Sequence, residues 1–213
     1  TFYYFIGGGY ESFIGLGVDR LSKWMRVFGL GKKTGIDLPA ESGGFVPSKE
    51  WKQEKKGERW FVGDTYNLAI GQGDLLVTPL QVAEYTALIA NRGQRFIPHV
   101  VRSTAPVSST DIGVREDVLS VVRAGMRDNV IYGSGRALST LPMAAAGKTG
   151  TAQWNSSKNT HAWFTSFAPY DQPEIVVTVM LEEGGEGSSV AVPVAQQVLQ
   201  AWWNLRRERR GTF

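Results

Sequence analysis

Apolar positions along this chain follow a helical rhythm early and a strand-like rhythm late. Leu21, Trp24, Met25 and Phe28 recur at i, i+3, i+4 and i+7, which predicts an amphipathic helix over residues 19–28. Gly29-Leu30-Gly31 supplies its stop. Thr78 fits an N-cap, Pro79 a first helical position and Gln81 the return partner of a capping box, so a second helix starts there and runs to residue 90. That helix is apolar nearly all round (Leu80, Val82, Ala83, Tyr85, Ala87, Leu88, Ile89), the mark of a buried element. A third is expected over 115–130 with Val118, Val121, Val122 and Met126 inward. A closing helix over 192–207 is expected to turn Val194, Val198, Trp202 and Leu205 inward.

Between the last two helices the period changes. Residues 145–153, 163–168 and 174–181 read as strands, and the polar gaps at 154–160 and 169–173 have hairpin length. Helices, then an antiparallel meander, then a closing helix make the class α+β rather than alternating β-α-β. The rest is less regular. Residues 1–6 are apolar, like the inside of an element, and Gly7-Gly8-Gly9 is expected to break or loosen the chain. Residues 34–56 read as a long irregular connection, with the charged run 49–59 as a solvated segment packed down by Trp51 and Trp60. Residues 96–101 suggest an edge strand or hairpin arm, and 103–111 a loop. No internal repeat is visible.

With 213 residues, 42% hydrophobic and 20% charged, the chain is globular, one large domain or a piece of a larger one. Its net charge of +3 arises in the tail, where Arg206, Arg207, Arg209 and Arg210 outweigh Glu208. The remaining charges balance, so nothing marks the body as a binder of nucleic acid. No cysteine is present, which excludes disulfides and thiolate metal sites. No apolar run has the length of a membrane span and no signal peptide is seen. The chain opens at Thr1 without an initiator Met, as if the numbering began inside a longer protein.

The chemical signal lies in Ala144-Ala145-Ala146-Gly147-Lys148-Thr149-Gly150-Thr151-Ala152-Gln153. Small side chains admit another molecule's backbone, Lys148 offers a cation, and Thr149 and Thr151 offer short hydrogen bonds. Two glycines inside a strand suggest a place where a ligand approaches. Such a strand suits a carboxylate next to a carbonyl. A phosphate loop is the weaker reading. It needs a glycine where Pro142 stands and a helix where Gly150-Thr151 follow. His99 and His161 lie far apart and read as surface or hydrogen-bonded residues, although a hairpin would bring His161 back alongside the Lys148 strand. They offer no metal-ligand spacing. Glu182, Glu183 and Glu186 read as a solvated loop, and Gly71-Gln72-Gly73-Asp74 as a tight turn ahead of the Thr78 helix.

Several stretches, in order, resemble one family. They are Thr1-Phe2-Tyr3-Tyr4, Phe28-Gly29-Leu30-Gly31-Lys32-Lys33-Thr34-Gly35-Ile36-Asp37-Leu38-Pro39, Asn67-Leu68-Ala69-Ile70-Gly71-Gln72-Gly73, Thr78-Pro79-Leu80-Gln81, Ala146 to Gln153, and His161-Ala162-Trp163-Phe164. Together they resemble the C-terminal part of the transpeptidase domain of class B penicillin-binding proteins, most closely the penicillin-binding protein 2 group. That family's motifs are Ser-x-x-Lys, a Ser-Asp-Asn type and Lys-Thr-Gly. Only the third occurs in these residues, so the resemblance implies that the nucleophile and two strands of a five-stranded mixed sheet lie outside residues 1–213.

The resemblance implies serine acyl transfer on the D-Ala-D-Ala end of peptidoglycan stem peptides, with β-lactams as mimics and no cofactor. Lys148 would set the electrostatics, Thr149 bind the substrate carboxylate, Gly150 leave room, and Thr151 give its backbone N–H to an oxyanion hole. Implied partners are the rest of the transpeptidase domain and other cell-wall synthesis proteins. The implied place is the periplasmic face of a bacterial inner membrane, with an N-terminal anchor outside this chain. Alternatives are a D,D-carboxypeptidase or β-lactamase relative, or a non-catalytic envelope scaffold.

Overall fold

The computed structural model describes residues 1–102 and 108–211. The chain divides into two compact units: Thr1–Gln81 with Ile97–Thr104, and Val82–Phe96 with Ala105–Phe213.

In the first unit, α1 (Phe2–Gly8), α2 (Gly17–Val27), α3 (Lys49–Lys56) and α4 (Val62–Ala69) carry the regular structure. The predicted helix at 19–28 is α2. The glycine triplet does not break the chain as expected. Gly7 and Gly8 lie inside α1, and only Gly9, at φ 87°, ends it. They are small because α4 is close: a Cβ on Gly7 would stand 2.3 Å from Ala69 Cβ.

The charged run 49–59 is exposed at most positions, with Trp51 and Trp60 half-buried as expected, but residues 49–56 of the expected irregular connection form a helix. Ser48 Oγ caps α3 by accepting the Trp51 N–H at 3.2 Å, and Gly57 ends it in the left-handed region. One of its lysines, Lys52, is only 5% exposed. Its ammonium meets Asp64 at 2.7 Å, and the Asp64 carboxylate in turn accepts the Phe61 N–H. That hydrogen bond to Asp64 raises the Lys52 pKa.

Residues 34–48 are irregular, as the turn-rich sequence implies, and side chains order them. Glu41 accepts from the N–H and hydroxyl of Thr34, both at 2.7 Å. The predicted capping box is present. Thr78 Oγ1 accepts the Gln81 N–H, and Gln81 Oε1 accepts the Thr78 N–H. Gln81 is fully buried, and its Nε2 also donates to the carbonyls of Lys32 and Gly43 at 2.8 and 2.7 Å. The helix so started, α5, is Pro79–Ala90.

The second unit holds β1 (Gln94–Phe96) paired with β2 (Ser109–Asp111), α6 (Glu116–Ile131), a 3-10 turn at Arg136–Thr140, the strands β3 (Ala146–Ala152), β4 (His161–Ala168) and β5 (Ile175–Leu181), and α7 (Gly187–Gly211). The expected arm at 96–101 is thus displaced to 94–96. Of the loop expected at 103–111, residues 103–107 lie outside the described residues and 109–111 form a strand. The three predicted late strands pair in the order β3-β4-β5, both pairs antiparallel, giving the α+β class.

Ala162, Phe164 and Ala168 of β4 pack with Ala191, Val192, Ala195 and Leu199 of α7 in one core cluster. Each large apolar side chain so buried contributes roughly 1.5–3 kcal/mol. Thr86 of α5, Thr165 and Thr178 join in a hydroxyl chain with both links at 2.8 Å.

Both late helices turn inward a face that only partly matches the one expected: Met126 and Trp202 are inward, and the expected valines and Leu205 are not. On α6 the buried stripe is Leu119, Arg123, Met126 and Val130, while Val118, Val121 and Val122 are exposed. Arg123 disguised the stripe. Its guanidinium donates to the carbonyls of Ala90 and Tyr170 and lies over the Phe167 ring at 5.2 Å, so burial lowers its pKa without leaving it unbonded. On α7 the inward residues are Ala191, Val192, Ala195 and Leu199, with Trp202 packed against the same core, and Val194, Val198 and Leu205 are left outside.

Asp37 accepts the Val100 and Val101 N–H groups at 2.7 and 2.9 Å, and these bonds, Val100 first, hold its pKa below the usual carboxylate range. A depressed folded pKa adds stability above the unfolded pKa, and that stability is lost as pH falls through the folded value. Asp37→Asn should therefore lower the denaturant midpoint of the intact protein at neutral pH, with the difference closing on acidification. A pH-independent difference would show that the charge of Asp37 is not what matters.

Candidate active site

The residues singled out in the sequence sit on β3, an edge strand of the three-stranded sheet, with only β4 beside it among the described residues. The phosphate-loop reading ends here, because Gly147-Lys148-Thr149 lie within a strand. Register pairs Lys148 with Thr165, Gly150 with Trp163 and Ala152 with His161.

The carbonyls of Ala145 and Gly147 accept from Arg127 Nη1 at 2.7 Å and Asn129 Nδ2 at 2.9 Å, both on α6. The carbonyl of Thr149 accepts from Lys148 Nζ at 2.7 Å. Backbone groups alternate sides along a strand. The odd-numbered residues of β3, Thr151 among them, therefore turn their backbone groups to the outer edge. Side chains from α6 occupy that edge at Ala145 and Gly147. From Thr149 onward no strand lies against it among the described residues.

A relay fixes Thr149. Asn129 donates to Gly147 O, and its Oδ1 accepts from Ser134 Oγ at 3.0 Å. Ser134 has one proton and has committed it. The 2.6 Å contact between Ser134 Oγ and Thr149 Oγ1 therefore has Thr149 as donor. A carboxylate arriving at this edge competes with Ser134 for that proton.

Lys148 is exposed, and among the described residues no carboxylate pairs with it, whereas Lys49, Lys52, Lys56 and Lys158 each face an acid. Alternation points its side chain to the face opposite that of Thr149, yet the ammonium curls back to the outer edge at the Thr149 carbonyl. Cation and hydroxyl therefore stand at one edge, open to one ligand.

The two glycines divide their work. A Cβ on Gly147 would stand 2.5 Å from the Phe164 ring, so the room it leaves serves the core and not a ligand. A Cβ on Gly150 would sit 3.2 Å from Trp163 Cβ. His161 does return alongside β3, four residues beyond Lys148. Its Nδ1 accepts the Glu183 N–H at 3.1 Å and its ring stacks on Trp154, as a hydrogen-bonded histidine would. His99 is exposed and belongs to the first unit. Glu183 pairs with Lys158, and Asp74 of the glycine-flanked turn with Lys56. Among the described residues no group of three or more His, Cys, Asp or Glu is placed to hold a metal ion.

Arg127, Asn129 and Ser134 were not legible as site residues. Their only signal was the Gly133-Ser134-Gly135 bend, which the pattern treats as a lead into β3.

An antiparallel sheet closed by a C-terminal helix, with Lys-Thr-Gly on its open edge, is the arrangement of a penicillin-binding transpeptidase. The chain belongs to the penicillin binding protein transpeptidase domain family, which it matches over residues 10–200. Among curated relatives it is 38% identical over 224 residues to the peptidoglycan D,D-transpeptidase MrdA of Haemophilus influenzae, covering 92% of this chain and 34% of that protein. Among solved structures it is similar to penicillin-binding protein 2 of Pseudomonas aeruginosa in complex with WCK 5153. That match has a TM-score of 0.82 and 37% identity, and covers 95% of this chain and 44% of the other. It is also similar to penicillin-binding protein 2 of Helicobacter pylori in complex with MreC, at a TM-score of 0.82 and 34% identity, covering 96% and 38%. The chain spans about a third of the length of the curated relatives it matches.

Asn129→Ala removes the donor to Gly147 O and the acceptor for Ser134 together. It should destabilise the intact protein by about 1–3 kcal/mol in chemical denaturation. A loss within error of zero would show that the relay does not hold β3.

Proposed function

We propose that this chain is the C-terminal portion of a single transpeptidase domain in a peptidoglycan D,D-transpeptidase, and that β3 is one wall of its active site. The observation that carries this reading is the outer edge of β3, where the Lys148 ammonium, with no carboxylate against it among the described residues, and the Thr149 hydroxyl stand together. An extended peptide can add to such an edge as a further strand.

In this scheme the terminal carboxylate of a D-Ala-D-Ala donor lies at Lys148 and Thr149. A serine from a part of the protein outside residues 1–213 attacks the penultimate carbonyl carbon. The backbone N–H of Thr151, on the outer edge, donates to the oxyanion that forms. One such donor is worth roughly 3–4 kcal/mol of barrier. The C–N bond then breaks, the terminal D-Ala departs as the amine, and an ester remains on the serine. An amine from a neighbouring strand takes the acyl group and frees the serine. β-Lactams would enter as mimics of the donor. Gly150, without a side chain, leaves the peptide room between Thr149 and Thr151.

The intact protein would work in the cell envelope, on the periplasmic side of the inner membrane. Its anchor would lie in a segment outside this chain, since no described helix is long and apolar enough to cross a membrane. A relative solved in complex with MreC supports other cell-wall synthesis proteins as partners.

In the intact protein Lys148→Ala should lower the rate of covalent labelling by a fluorescent penicillin by at least about 100-fold. An unchanged rate would remove Lys148 from the site. The 213-residue chain by itself should take no covalent label, and stable labelling of it would sink the assignment of the nucleophile to another segment.

A further inference from the structure

Beyond the Lys-Thr-Gly strand, the turn from β3 to β4 builds a fixed aromatic surface that this mechanism leaves unused. Trp154 is 48% exposed, yet it is held on several sides. Its ring stacks on His161 with centroids 5.2 Å apart and planes 8° from parallel. The Lys158 ammonium lies 4.7 Å from the indole centroid, and a stack this close leaves it only the other face. Its Nε1 donates to Asn159 O at 3.2 Å. The supports are held in turn: Lys158 pairs with Glu183 at 2.9 Å, and His161 Nδ1 accepts the Glu183 N–H. Thr160 and Gly185 exchange two hydrogen bonds, both at 2.9 Å, which tie this turn to the segment after β5. With both faces covered, the half-exposed indole offers its outer edge as contact area at little cost in side-chain entropy.

Its place relative to the open edge gives it a use. His161 pairs with Ala152, and paired residues share a sheet face. The indole stacked on His161 therefore lies on the face of Lys148, Gly150 and Ala152. If the donor carboxylate is at Lys148 and Thr149 and its reacting carbonyl at Thr151, the rest of the peptide runs on past Ala152 toward Trp154. Three residues of extended chain span about 10 Å. That brings the second or third residue ahead of the reacting carbonyl onto the indole.

We propose that Trp154, clamped by His161 and Lys158, is a specificity-determining residue that binds the part of an extended donor peptide preceding its reacting end. It acts on the length and composition of the donor and not on the bond that breaks. This rests on the reading of the β3 edge given above.

The test uses the intact protein and two thioester donors. One has a single capped D-alanine as its acyl part, and the other is the same ester extended by three residues. The readout is the ratio of kcat/KM for the long donor over the short one. Trp154→Ala should lower this ratio on the order of tenfold, and Trp154→Phe should restore most of it. An unchanged ratio overturns the proposal, whether both donors weaken together, as for a merely structural tryptophan, or neither does. If the unaltered protein turns over neither ester, the reading of the β3 edge itself fails and this inference falls with it.

Discussion

The second unit depends on one constraint: the outer edge of β3 must stay bonded at one end and open at the other. A bare strand edge is a row of backbone donors and acceptors that recruits whatever strand comes near. Here side chains answer the first carbonyls. Arg127 takes Ala145, Asn129 takes Gly147, and both come from α6, so no strand pairs there. At the next outward carbonyl, that of Thr149, the donor is the neighbouring Lys148 ammonium and not a side chain of α6. The strand is thus held where it joins the core, and the proposed ligand edge begins where that cover ends.

That hold has a cause further in. β4 is buried at nearly every position, with Phe164 and Phe167 both fully enclosed, and it holds β3 by seven register pairs. Ala191, Val192, Ala195 and Leu199 of α7 pack in one core with β4, and Gly147 yields its side-chain space to Phe164. A site that must stabilise charge in a transition state gains most from dipoles that do not have to reorganise. The relay from Thr149 through Ser134 and Asn129 back to Gly147 O provides that order, since each hydroxyl proton has an assigned acceptor.

Much of this was legible along the chain. The strand period after residue 144 placed β3, β4 and β5, and the Thr78-Pro79-Leu80-Gln81 signature placed α5 and its capping box. Both are local effects that depend on residues two to four apart. The readings that failed are those where a partner distant in sequence decides. The stripe on α6 was hidden because Arg123 occupies a core position, acceptable only because the carbonyls of Ala90 and Tyr170 meet it there. The charged run 49–59 is solvated at most positions, but nothing in it showed that residues 49–56 form a helix or that Lys52 is buried against Asp64. Gly7 and Gly8 looked like a break because nothing nearby in sequence shows that Ala69 and Tyr66 need their space.

The site divides along the same line. By itself the sequence singled out the residues proposed to bear the chemistry, Lys148, Thr149, Gly150 and Thr151, and set them on a strand of small residues. It also determined the family, since side-chain identity and spacing are local properties of the chain. Only the tertiary structure decided that β3 is the edge strand, that Asn129 and Ser134 orient Thr149, and that the lysine ammonium comes round to the same edge as the hydroxyl. Those depend on which elements pack together, and packing is set by the summed burial of side chains from segments that no local pattern relates.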